Sequence, residues 1–210
     1  MKLNLPTIKT VEDAIPFEGF DKSQSDRIRN ILKKVPDQIV RSTFSKIKMD
    51  TDMDDGEKYR AYGKYNPKTR IMLISPKAFK TLDEFDDGKN KMSKLEHCIL
   101  HEIGHYVDSQ KGISKDPKWL QLSGWSDKPT DEEHVMMVIP QENSQDIHTS
   151  WYYKKNADFP RWYAKRSPKD DWSECFAFYV GGLYDRFKDK NKLNYVKETT
   201  NGLGVRGASV

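Results

Sequence analysis

The sequence predicts an α+β fold, and three observations carry that prediction. Two segments, 93–110 and 167–187, combine a polar N-cap with apolar residues at helical spacing, and a third, 21–34, has the same period. Short apolar runs at 44–50, 58–65 and 69–75 have strand length and are bounded by turn residues. A chain of 210 residues has room for one sizeable core.

Each element has its own signal. Residues 1–20 contain Pro6 and Pro16 and little periodicity, so they read as an extended arm. Ile28, Ile31 and Leu32 share a helix face that Pro36 closes. Phe44, Ile47 and Met49 form a strand-like run, and Asp50–Glu57 is an acidic turn without the oxygen spacing of a calcium loop. Lys58–Tyr65 and Thr69–Ser75 read as a hairpin turned at Asn66-Pro67, with Ile71–Ile74 as its apolar strand. Residues 83–91, DEFDDGKNK, read as a polar loop. Ser93 and Glu96 then open a helix that Gly112 ends. Residues 111–166 form an aromatic-rich, irregular insertion with a strand candidate at Val135–Ile139. Ser167, Pro168, Asp170 and Asp171 start the last helix, expected to run to Phe187. The polar tail 188–210 shows no core face and reads as extended, or ordered by a partner. The expected organisation is an arm 1–20, a domain 21–187 and a tail 188–210.

Composition removes other classes. Twenty-four aromatic residues argue against disorder despite 32% charged residues. A net charge of +4 is too small to imply nucleic acid. No run of 18 apolar residues suggests a membrane span, and no secretory h-region is visible, so a cytoplasmic location is expected. Cys98 and Cys175 make no disulfide framework and read as small apolar groups.

The segment His101-Glu102-Ile103-Gly104-His105 carries chemistry. Two histidines four residues apart project from one helix face and can share a Zn²⁺ ion. Glu102, beside that face, is placed to take a proton from a water at the metal. His97 and His134 read as surface residues, and Asp108 as either a support for a ligand histidine or a surface group.

A third ligand must come from elsewhere. Asp108 and Lys111 stand where a metzincin needs glycine and histidine, which excludes that class. Glu174 is the leading donor. It emerges with Ala177 and Gly181 from a small-residue side of its helix, which Gly104 could approach closely. Asp170, Asp171 and His148 are the rivals.

The segments H-E-I-G-H-Y-V-D and W-Y-A-K-R-S-P-K-D-D-W-S-E-C-F-A resemble the gluzincin metallopeptidases. The likeness is to the anthrax lethal factor catalytic-domain type, the Pro-Pro endopeptidases and small phage-encoded peptidases, and it covers about residues 58–187. The resemblance implies a zincin-like fold, zinc held by His101, His105 and Glu174, and Glu102 as general base. It also implies phage membership and a protein or peptide substrate. One departure concerns the tyrosine that such enzymes place seven residues before the third ligand. Counted from Glu174 that position is Ser167, whereas Tyr163 lies eleven residues before it. Tyr163 leads as the oxyanion group, with Tyr152, Tyr153 and His148 as alternatives.

The expected activity is hydrolysis of peptide bonds, with substrate lying along Ile71–Ile74 as an edge strand and the sheet packed on the zinc helix. The alternative is a phage virion or assembly protein that uses the fold as scaffold, its terminal arms meeting virion proteins. A phage-type regulator protease fits less well, because the 69-residue step from His105 to Glu174 exceeds its spacing.

Overall fold

The computed structural model describes residues 15–54, 62–80, 84–86, 88, 90–129, 134–140 and 148–205. The architecture is mixed α and β with small sheets, as expected. The chain divides into two compact units, one ending at Thr81 and the other beginning at Leu82.

The first unit holds β1 (Phe17–Glu18), α1 (Lys22–Leu32), α2 (Asp37–Thr43), β2 (Lys46–Met49), β3 (Gly63–Asn66), β4 (Ile71–Ile74) and α3 (Lys77–Lys80). Asp21 caps α1 through a reciprocal pair with Gln24, and Ile28, Ile31 and Leu32 are buried, as their spacing predicts. The sheet order is β1-β2-β4-β3, parallel except for the β3–β4 hairpin. Two expectations change here. Phe17 and Glu18 pair with Ile47 and Lys48, so the end of the arm is a strand. Ile71–Ile74 is interior, flanked by β2 and β3, and is not an edge. Residues 1–14 and 55–61, which include the start of the expected hairpin, lie outside the described residues.

The second unit holds a hairpin, β5 (Glu84–Asp86) with β6 (Lys91–Ser93), then α4 (Lys94–Lys111), α5 (Pro117–Ser123) and β7 (Trp125–Ser126). These lead into β8 (His134–Pro140), β9 (His148–Lys154), α6 (Pro168–Val180) and α7 (Lys190–Gly202). The "polar loop" 83–91 is therefore largely a hairpin. Phe85 and Met92 are its buried residues, too few to give a strand period in sequence. The insertion folds as a sheet of order β7-β9-β8. Its aromatic residues pack on one another: Trp125, Tyr153 and Phe159 meet edge to face at 5.1–5.6 Å.

Helix α6 ends at Val180, seven residues before the expected stop, where Gly181 and Gly182 turn the chain. The tail is not extended. Residues 190–202 form α7, with Lys192, Tyr195, Val196 and Thr200 buried. Lys192 makes this possible: its Nζ lies 2.8 and 3.0 Å from the two Asp171 carboxylate oxygens and 2.6 Å from the Asp158 carbonyl. A fully buried lysine reads as solvated surface in sequence, which hides the core face. Residues 206–210 are outside the described residues. Among those described, no helix is long and apolar enough to cross a membrane.

Candidate metal centre

Two helices of the second unit build the site. Ser93 Oγ accepts the Glu96 N–H and starts α4, and Gly112, at φ 68°, ends it in the left-handed conformation. His97, His101 and His105 recur every four residues and share one face. Ser167 caps α6: its Oγ accepts the Asp170 N–H at 3.0 Å and lies 2.7 Å from Asp170 Oδ2. This fixes the Asp170 carboxylate at the first turn. The two helices press together at Gly104, where an added Cβ would sit 2.8 Å from Ser173 Cα. Trp172 Nε1 donates to the Gly104 carbonyl across the same crossing. The close approach was legible at Gly104, but its partner is Ser173. Gly181 instead faces Met92 Sδ.

The crossing sets Asp170 and Glu174, one turn apart, against the histidine face. Glu174 Oε1 lies 3.1 Å from His101 Nδ1, and Glu174 Oε2 lies 3.0 Å from His97 Nε2. Arg161 Nε approaches Oε2 at 3.5 Å. Asp170 Oδ1 lies 3.5 Å from His105 Nε2. Two groups with converging donor atoms result, His97–His101–Glu174 and His101–His105–Asp170, sharing His101. The first is a buried group that could hold a metal ion. The second is partly open, with the His105 side chain 29% exposed and that of Asp170 16%, against 1% for Glu174.

Protonation suits ligation at His101. Burial pushes His101 down to about 4, so its ring is neutral near pH 7. Burial alone would raise Glu174, but His97 and His101 hold its carboxyl well below the usual range. Burial also opposes charge on His105 and Asp170, yet their contact leaves His105 raised and Asp170 lowered. Burial, with the Asp170 charge added, raises Glu102, the direction a general base requires. Nitrogen, nitrogen and carboxylate oxygen form a donor set that a divalent transition metal accepts, and the converging donor atoms fit such an ion. His101 Nδ1 and Glu174 Oε1 are buried 3.1 Å apart and have no other hydrogen-bond partner.

The remaining candidates sort by contact. Tyr163 stands with its ring 5.6 Å from that of His101, and Arg166 Nη1 donates to its hydroxyl. Tyr153 is buried in the aromatic cluster, away from that role. Tyr152 pairs with Met136 in the β8–β9 ladder. The side chain of His148 lies outside the described residues. Asp171 is taken up by Lys192 and by Trp125 Nε1, which removes it as a rival ligand. Asp108 accepts from the Ser114 backbone and hydroxyl, holding the end of α4 rather than a histidine. Cys175 is buried, as expected, whereas Cys98 is only partly so. His97, expected on the surface, is buried against Phe85 and Phe178. Its spacing of four from His101 was the signal for it. Arg161 had no such signal.

The chain matches no protein-family model, no curated protein and no solved structure.

Proposed function

We propose that the protein is a zinc-dependent endopeptidase of zincin-like architecture, with the metal held by His101, His105 and Asp170 and with Glu102 as general base. The observation that carries this reading is the partly open His101–His105–Asp170 group beside Glu102. A catalytic metal needs a position open to substrate, and Glu174 is too deeply buried to share one. Glu174 then faces the other ring nitrogen of His101 and fixes that ring, leaving Nε2 as the nitrogen for the metal. The sequence expectation of Glu174 as third ligand gives way to Asp170 on this ground. Tyr163 lies seven residues before Asp170, the spacing that the sequence resemblance calls for.

When bound, zinc supplies Lewis acidity toward the scissile carbonyl and acidifies water. Glu102 accepts the proton of the attacking water and delivers it to the departing amine. Tyr163, its hydroxyl held by Arg166, donates a hydrogen bond to the carbonyl oxygen as charge develops there.

A second reading has its own support. The converging donor atoms of the buried His97–His101–Glu174 group favour a metal there. A metal there is structural, as a scaffold role in a phage particle would require. Glu102→Gln separates the two. In the peptidase it keeps about one zinc per chain and slows cleavage of a peptide library by about 10²–10⁴-fold. A wild-type protein that binds zinc and cleaves nothing in the library supports the scaffold.

A further inference from the structure

Arg161 stands at the start of the short helix Trp162–Arg166, two residues before Tyr163. The hydrolysis proposed for the centre leaves it without a role. Its guanidinium carbon lies 5.2 Å from the centre of the Phe85 ring and 5.3 Å from that of Tyr163. Contacts of this kind hold a planar cation in place. The Tyr163 ring in turn lies 5.6 Å from that of His101, so Arg161 borders the candidate centre.

A guanidinium carries five N–H donors. Among the described residues the guanidinium has one polar partner: Nε faces Glu174 Oε2 at 3.5 Å. Glu174 also meets His97 and His101. The Arg161 side chain is 30% exposed and that of Glu174 1%. Arg161 therefore reaches from a buried carboxylate to solvent, and its Nη groups are free to meet a ligand.

Water satisfies those Nη groups in the free protein. A bound peptide displaces that water, and its replacement has to accept hydrogen bonds. A peptide carbonyl accepts at one oxygen. A carboxylate accepts at two, spaced as the Nη pair is, and its charge meets the cation. The two rings set the guanidinium plane before the ligand arrives, which lowers the cost of ordering it. The Arg166 guanidinium, 4.6 Å from the same Tyr163 ring, adds a second positive charge on this side of the centre.

We propose that Arg161 reads a carboxylate on the peptide substrate, either a Glu or Asp side chain or the C-terminal carboxylate, through its two Nη groups. The peptide nature of the ligand rests on the peptidase reading, and the carboxylate rests on the Arg161 geometry.

The test uses three synthetic octapeptide libraries: one containing Glu with an amidated C-terminus, the same with Gln for Glu, and the Gln library with a free C-terminus. Each is captured on immobilised full-length Glu102→Gln protein, and retention is read by mass spectrometry. The first or the third library should be retained over the second by about tenfold or more, the size of a charge-assisted fork. Preference for the first assigns a side chain, and preference for the third assigns a chain end. Adding Arg161→Gln should abolish the preference and change retention of the Gln amide library by less than about twofold. A thermal melt checks its fold. Arg161→Lys keeps a cation beside Glu174 without the fork and should restore only part of the preference. No preference, a preference that survives Arg161→Gln, full preference in Arg161→Lys, or equal loss for all three libraries overturns the proposal. Cleavage of the same libraries by wild type reads the other claim. Preference without cleavage overturns the peptidase reading and keeps the carboxylate site, whereas cleavage without preference overturns the carboxylate site alone.

Discussion

Lys192 and Tyr195 show how single residues of the tail join the fold. Burial opposes the Lys192 charge, but Asp171 outweighs it and holds the ammonium above its usual value of 10.5. Burial, together with the 2.7 Å hydrogen bond to Asp116, raises Tyr195 above 10.0. Groups raised by folding contribute stability that is complete below their unfolded values and is lost as pH rises through the folded ones. Denaturation should therefore show stability falling above about pH 10, with Tyr195→Phe shallower than wild type in that range. A flat profile from pH 8 to 11 contradicts the assignment. At this scale the sequence was legible where a motif names the residue. His101 and His105 fall in one group of converging donor atoms, and the Tyr163 ring stands beside His101. Glu174 and its rival Asp170 each fall in a group of converging donor atoms, and sequence spacing cannot tell a carboxylate at the open end of a site from one buried a turn deeper. Lys192 could not be read at all, since its partner Asp171 is 21 residues away in sequence.

Helices α4 and α6 were legible as elements because each carries its own caps. Ser93, Gly112, Ser167 and Pro168 act within a few residues and need no tertiary information. What failed were elements whose stability comes from elsewhere. The β5–β6 hairpin has two buried apolar side chains, and α7 is held through an ion pair. The crossing of α4 and α6 is the decisive contact between elements. Gly104 meets backbone at Ser173, which cannot yield as the flexible Met92 side chain facing Gly181 can. Gly104→Val should cost about 1–3 kcal/mol and loosen zinc binding, since overpacking here moves Asp170 and Glu174 off the histidine face. Equal zinc affinity in Gly104→Val, measured against a chelator, would mean that this crossing does not set the site.

Across the whole molecule, the expected boundaries at residues 20 and 187 differ from the division at Thr81 and Leu82. Every residue of the candidate centre lies in the second unit, together with the tail that was expected to be extended or ordered by a partner. Truncation after Phe187 removes Lys192 and leaves Asp171 buried without its cation. Breaking a buried pair in this way costs about 3–5 kcal/mol. A truncated chain that melts with the wild type would show that the pair is not a support of the fold.

The central claim is the position of the metal, and anomalous diffraction at the zinc absorption edge from zinc-loaded crystals tests it most directly. The account predicts one strong peak at zinc–ligand distance, ~2.0–2.2 Å, from His101, His105 and Asp170, with Glu174 outside that distance. A peak enclosed by His97, His101 and Glu174, or no peak at the histidine face of α4, would contradict it.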